Sequence, residues 1–305
     1  MEQQPMAEEE TQVLRALFAE EQIPAAGDDL QRAYGTIAGW IIARREAADR
    51  PLLVGICGAQ GSGKSTLALG LARLIEHRTE LKVAALSIDD FYLPHAARQA
   101  LAHTVHPLFA TRGVPGTHDV ALAERTIRRL ATAASDAKTP LPRFDKASDD
   151  VEPQPVWPVF HGRADIILFE GWCVGARPET AAALVSPINM LERDEDPDGI
   201  WRRAVNTALA EQYHALFGHL DLLLMIAAPS FDTVFAWRGE QERKLAARAR
   251  AAGKQTDAIM DDTALRRFIS HYERLTRHIL ADMPMRADGV MTLDDQRGVE
   301  ALRLG

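Results

Sequence analysis

Cysteine is nearly absent from this sequence. Only Cys57 and Cys173 occur in 305 residues, too few for a disulfide framework or a cysteine-rich zinc site, and a reducing compartment fits this usage. An excess of basic charge is missing as well. Lys and Arg number 35 against 43 Asp and Glu, a formal net charge of −8. Nucleic acid and anionic membranes need a basic face, so neither is expected as a partner. Long hydrophobic runs are lacking, and a stretch such as residues 220–228 is too short to span a bilayer. The start of the chain is acidic and polar, without the basic and apolar regions of a secretory signal. A cytoplasmic location is the expectation. No internal repeat or low-complexity tract appears, and no feature indicates an oligomeric state.

What is present is a chain that is 47% hydrophobic, enough for a substantial core. Short apolar runs at 52–57, 82–88, 165–169, 221–227 and 290–293 read as buried strands. Helical spacing lies between them, at 65–75, 120–134, 201–217, 231–252 and 264–283. Apolar strands alternating with helices predict an α/β fold, a parallel sheet with helices on both faces. Residues 1–50 carry helical spacing of their own and are expected to form an N-terminal helical extension to a domain over 51–305. The stretches 91–119 and 140–158, rich in proline, read mostly as loop, and 172–198 reads as an insertion.

One motif dominates. Gly58-Ala59-Gln60-Gly61-Ser62-Gly63-Lys64-Ser65-Thr66 matches the phosphate-binding template G-x-x-x-x-G-K-[ST], between a buried strand and a helix. Its glycines let the chain turn tightly, so that successive N–H groups converge on one anion, and the helix N-terminus adds a favourable dipole. Lys64 is expected to reach the β- and γ-phosphates of a nucleotide, Ser65 to bind Mg²⁺, and Thr66 to lie on the α-phosphate side.

Ligands of parallel α/β sheets sit at the carboxyl ends of the strands. The second strand ends in Ser87-Ile88-Asp89-Asp90-Phe91-Tyr92 and the third in Phe169-Glu170-Gly171. Adjacent carboxylates are costly unless a cation or a substrate proton offsets them. One can accept a proton from an attacking hydroxyl, and a carboxylate directly after a buried strand can hold Mg²⁺ or its waters, the role expected of Glu170 beside Ser65.

Taken together, these motifs resemble the superfamily of uridine kinase, phosphoribulokinase and pantothenate kinase. Val105-His106-Pro107-Leu108, residues Thr111 to Asp119, residues Pro142 to Ala147, and the stretch from Phe169 to Gly175 are similar to one branch, the D-glycerate 3-kinases of plants and fungi and their bacterial relatives. So are Trp237-Arg238, Gln241-Glu242 and residues Tyr272 to His278. The resemblance runs from about residue 50 onward. It implies a P-loop NTPase-like fold, ATP and Mg²⁺ as cofactors, and a small-molecule substrate, D-glycerate. It also implies a catalytic Asp89 and a lid around 231–255 that supplies an arginine, Arg238 or Arg243, to act with Lys64.

An acceptor with a carboxylate and two hydroxyls calls for a cation and polar groups. Arg112 and Arg143 are candidates for the carboxylate, Tyr92 for a further substrate contact, and His118, Asp119, Asp145 and Lys146 for the hydroxyls or the loop, whose shape Gly113, Pro115 and Gly116 would fix. Each of these could equally be a loop residue facing water, and the basic run from Arg238 to Arg250 could be a solvated helix face. The three histidines at 95, 103 and 106 have no metal-ligand spacing. A related kinase for another small hydroxyl compound, or a regulatory ATP-binding protein, would carry the same phosphate loop. A GTPase would need Asn-Lys-x-Asp, which the sequence does not contain.

Overall fold

Strand β1 (Leu52–Gly58) is buried at all seven positions, and it lies at the centre of the molecule. Both of its faces are covered, so successive residues feed two different cores. Leu53 and Cys57 belong to one hydrophobic cluster, and Leu52, Val54 and Ile56 to the other. The computed structural model describes residues 6–21, 23, 27–251 and 262–305.

Around β1 are β2 (Val83–Ser87), β7 (Ile166–Gly171), β8 (Leu222–Ala227), β9 (Gly289–Leu293) and β10 (Val299–Leu304), in the order β10-β9-β8-β1-β7-β2. The pairings from β9 through β2 are parallel, as the apolar runs predict. The sheet departs from the expectation at one edge, where β10 pairs antiparallel with β9. Between β2 and β7 in the chain lie β3 (Lys138–Pro140), β4 (Phe144–Asp145), β5 (Asp150–Val151) and β6 (Val159–His161). These form two short ribbons, β4 with β5 inside the stretch read as a loop and β3 with β6 closing its two ends.

Helices α1 (Glu8–Glu20), α2 (Asp28–Glu46) and α3 (Lys64–Arg78) cover one face. Leu14, Phe18, Tyr34, Ile37 and Ile41 of the first two share a cluster with Leu67 and Leu71 of α3 and with β1. A Cβ at Gly70 would stand 2.7 Å from the Tyr34 ring, so α2 and α3 cross closely there. Helix α4 (His95–Thr104) occupies part of the segment read as loop. It follows Pro94 and is rich in Ala, Arg, Gln and Leu, good helix formers.

The other face carries α5 (Val120–Thr132), α6 (Met190–Glu195), α7 (Ile200–Ala208) and α8 (His214–Phe217). A π-helical turn, Leu209–Tyr213, joins α7 to α8. Helix α9 (Phe231–Ala251) follows β8, and α10 (Asp262–Asp282) returns to the sheet. Residues 252–255, the end of the expected lid, lie outside the described residues.

Candidate active site

The turn between β1 and α3 owes its shape to two left-handed glycines, Gly61 at φ 79° and Gly63 at φ 85°. A side chain at Gly58 would stand 2.7 Å from Ser62 Oγ, and one at Gly61 3.0 Å from Trp237 Cβ. Helix α3 begins at Lys64, so the amides of Lys64, Ser65 and Thr66 have no partner within the helix and can donate to an anion at its N-terminus. Ser62 Oγ is buried without a partner. The residues 58–66 thus form an anion cradle of main-chain donors with one lysine.

This cradle is fastened from an unexpected direction. Arg297, left-handed at φ 66° in the turn between β9 and β10, donates from Nε to the Gly61 carbonyl at 2.8 Å. Its Nη1 donates to Glu240 of α9 at 2.8 Å, and its guanidinium lies over the Trp237 ring at 5.1 Å. The sequence carries no signal for a contact across 236 residues. Arg297→Ala should raise the KM for ATP about tenfold by loosening Gly61, with the acceptor KM unchanged. Steady-state kinetics with each substrate varied in turn checks this, and an unaltered KM for ATP would count against it.

Strand register sets the next group. Glu170 pairs with Ile56 of β1 on one side and Ser87 of β2 on the other, at the carboxyl end of the sheet. Ser65 donates its hydroxyl proton to Glu170 Oε1 at 2.7 Å, joining the two residues expected at the metal. Glu170 is only 4% exposed, and its Oε2 has no hydrogen-bond partner. A buried carboxylate oxygen left unsatisfied beside a serine hydroxyl fits a hard cation that takes its remaining oxygens from phosphates and water. Among the described residues no group of three or more His, Cys, Asp or Glu could hold a metal by itself.

Asp89 lies in the 3₁₀ turn Ile88–Phe91, and the Ser87 hydroxyl accepts a hydrogen bond from its amide. Tyr92 donates its hydroxyl to Asp89 Oδ1 at 2.9 Å, and Lys146 donates to Oδ2 at 2.7 Å. Burial acts to raise this carboxyl, but the charges of Lys146 and Lys64 and the two hydrogen bonds outweigh it, holding Asp89 well below the usual carboxylate range. Its neighbour Asp90 differs. Burial raises its carboxyl, only partly opposed by Arg143, which donates to it at 2.6 Å.

The loop from Arg112 to Asp119 is held by hydrogen bonds along its length. Thr117 accepts from the Gly113 amide and donates to the Val114 carbonyl. Trp172 donates to the Gly113 carbonyl at 2.9 Å, and Tyr272 to that of Arg112 at 3.0 Å. Asp119 caps α5. His118 is buried, stacked on Tyr92 with ring centroids 4.5 Å apart. Its Nδ1 lies 2.5 Å from the Tyr213 hydroxyl, which also accepts from the Gly116 amide. Burial lowers the imidazole to about 4, so it is neutral at physiological pH. Tyr213 comes from the π turn, and no sequence motif marks it.

Other expected residues are committed to different contacts. Arg112 pairs with Asp149, which also binds the fully buried Arg98, and Arg112 lies 5.6 Å from the Phe144 ring centre. The Asp145 carboxylate accepts from the amides of Ala147 and Ser148, so it shapes its own turn. His95 contacts Asp149, and His106 lies 3.7 Å from Asp196. Arg238 stands over the Phe268 ring at 5.7 Å, and its charge acts on Tyr272 beside the loop from Arg112 to Asp119. Arg243 is exposed on the same helix. The structure thus gathers the phosphate loop, Glu170, Asp89, Tyr92 and Lys146 at adjacent strand ends.

No family model matches the chain. The kinase mug58 of Schizosaccharomyces pombe is 33% identical over 232 residues, which cover 73% of this chain and 79% of that protein. The chain belongs to this family of P-loop kinases. The chloroplastic D-glycerate 3-kinase of Arabidopsis thaliana is 30% identical over 230 residues, 73% of this chain but 46% of the plant protein. The structure of D-glycerate 3-kinase from Cryptococcus neoformans var. grubii shares the fold, with a TM-score of 0.71 at 23% identity over 88% of this chain and 98% of that one. The kinase is therefore an ATP-dependent phosphotransferase that acts on a hydroxyl group of a small molecule, with a divalent metal. No helix among its described residues is long and apolar enough to cross a membrane.

Proposed function

We propose that this kinase transfers the γ-phosphoryl group of ATP to the 3-hydroxyl of D-glycerate, with Mg²⁺ as the divalent ion, in the cytoplasm. The observation that carries the reading is Asp89. It is a carboxylate at the strand end two places from the phosphate loop, held ionised by two lysines and ready to accept a hydroxyl proton. The likeness to the Arabidopsis D-glycerate 3-kinase supports the choice of acceptor.

In this reading residues 58–66 hold the triphosphate through main-chain amides, and Lys64 neutralises its outer phosphates. Ser65 and Glu170 would hold Mg²⁺, which when bound offsets charge shared by the β- and γ-phosphates. Asp89 orients the acceptor hydroxyl in line with the γ-phosphorus and takes its proton. Tyr92, His118 and Arg112 form the wall of the acceptor site, and Asp145 fixes the loop that carries Lys146. Arg238 supplies positive charge from α9 as the phosphoryl group transfers.

The test is phosphoryl transfer from ATP to D-glycerate, with the product identified by ³¹P and ¹³C NMR. Formation of 3-phosphoglycerate, dependent on Mg²⁺, is the expected result. A 2-phosphate product would reject the 3-hydroxyl while leaving the kinase class intact, and no transfer to D-glycerate would reject the acceptor.

A further inference from the structure

Three of the cations expected near the acceptor are already matched with a carboxylate. Arg112 is matched with Asp149, Arg143 with Asp90 at 2.6 Å, and Lys146 with Asp89 at 2.7 Å. Asp149 and Asp90 have no role in the proposed transfer, so their arginines can stay where they are. Lys146 alone is bound to the carboxylate whose lone pairs the acceptor hydroxyl must use.

We propose that Lys146 holds Asp89 only until the acceptor arrives, and that an anionic group on the acceptor, a carboxylate or a comparable anion, then takes over Lys146 as the hydroxyl takes over Asp89. This deepens the reading given above and rests on it for the choice of acceptor. Lys146 is a specificity residue that lets the kinase detect the charge of its substrate through the exchange of one ion pair.

The construction of the loop supports the exchange. The main chain around Lys146 is fixed on several sides. Arg143 and the Phe144 amide bind Asp90, Asp145 closes the turn on Ala147 and Ser148, and β4 pairs with β5. The Lys146 side chain, by contrast, is 61% exposed where its head meets Asp89, itself 22% exposed. A lysine head on a flexible four-carbon stem can swing from a fixed base, and the exposure of its ammonium lets water and an arriving anion compete for it. In glycerate the carboxylate lies two carbons from the 3-hydroxyl, so a molecule that donates to Asp89 carries its anion toward the Lys146 head. A neutral acceptor offers Lys146 no new partner, and its hydroxyl must compete with the ammonium for the same carboxylate oxygens.

The exchange also adjusts the base. Lys146 from the β4–β5 turn, Lys64 from α3, Asp90 and Tyr92 from its own turn, His118 from the acceptor loop, Tyr272 from α10 and Cys173 after β7 all act on or are acted on by Asp89. The two lysines favour its charged form. When phosphates occupy Lys64 and the acceptor anion occupies Lys146, both restraints relax, and Asp89 becomes a better proton acceptor.

The experiment compares D-glycerate with its neutral amide, D-glyceramide, in wild type, Lys146→Met and Lys146→Arg. For Lys146→Met the KM for D-glycerate should rise about 30-fold, while the KM for the amide changes by less than about threefold. The KM for ATP should stay at the wild-type value, and Lys146→Arg should recover part of the loss. The acid limb of kcat/KM should move to higher pH in Lys146→Met, because a cation that favours the Asp89 carboxylate has gone. An unchanged KM for D-glycerate, or equal losses on acid and amide, would overturn the exchange. If wild type ignores D-glycerate but phosphorylates another acid, the acceptor assignment falls, and that acid and its amide decide the exchange in the same way. A wild type that accepts only neutral hydroxyl compounds overturns both.

Discussion

Asp89→Asn should lower kcat by about 10³-fold while ATP binding persists. The amide keeps an oxygen for the Tyr92 hydroxyl, which in the wild type donates to Asp89 Oδ1 at 2.9 Å. It cannot take up a proton from the acceptor, and it cannot balance Lys146. The phosphate loop belongs to β1 and α3 and does not use this side chain. Removing a negative charge near Lys64 should leave ATP affinity the same or slightly stronger. Calorimetric titration with a non-hydrolysable ATP analogue and a coupled ADP assay separate the two effects. Turnover within about tenfold of wild type would show that Asp89 is not the proton acceptor. The variant should also change the acid stability of the fold. The Asp89 carboxyl lies below its ordinary value of 3.8 in the folded chain, so the folded state binds fewer protons there than the unfolded chain. Its contribution is present above the ordinary value and is lost as the pH falls through the folded one. The asparagine variant has no such contribution to lose.

Gly113→Ala should destabilise the protein by about 3 kcal/mol, or roughly 5–10 °C in the unfolding midpoint. Gly113 adopts φ 132°, a conformation that other residues avoid. A methyl group there would stand 2.0 Å from the Tyr272 hydroxyl oxygen and 2.5 Å from Cζ. Tyr272 cannot step aside cheaply, because it is buried and packs edge-on against Trp172 at 4.9 Å. The clash therefore has to displace the loop from Arg112 to Asp119, the proposed acceptor wall, breaking the bonds from Trp172 to Gly113 and from Gly113 to Thr117. Activity should fall through the acceptor KM, with the KM for ATP little changed. Gly116→Ala is the milder comparison, since its Cβ would meet the Phe109 ring at 3.1 Å. Full activity and an unfolding midpoint within about 1 °C of wild type for Gly113→Ala would contradict this account.

The elements that a sequence can reveal are those whose signal is local. β1, β2, β7, β8 and β9 are short apolar runs because both of their faces are buried, and the phosphate loop is legible because nine adjacent residues build it. β10 is hidden because it is an edge strand with exposed and half-buried positions, Val-Glu-Ala-Leu-Arg-Leu, and no apolar run. Its alternation and the preceding Gly298 are the available signal. Helix α4 is obscured by the histidines and prolines around it. Arg98, within it, is fully buried and bonds to the carbonyls of Leu93, Ala110 and Asp149, three segments that only the fold brings together. The same reason hides Tyr213 and Arg297. Lys146 stands in a recognisable motif, but nothing local names its partner. Arg112 and Arg143 are natural choices for an acceptor carboxylate, and their own carboxylate partners become visible only once the loops are folded.

The strand order has a consequence for how such a kinase can change. The phosphate loop, Glu170 and Asp89 stand at the ends of β1, β7 and β2, three neighbours in the sheet spaced about 4.8 Å apart. In the proposed reading the sheet thus acts as a ruler for the path from donor to acceptor. Beyond β2 the ruler ends, and in the proposed reading the acceptor wall of Tyr92, Arg112, His118 and Lys146 hangs from that margin on the segments 91–119 and 140–158. New acceptors can therefore be explored by exchanging these two segments, as tool heads are exchanged on one handle, without retuning the grip on ATP.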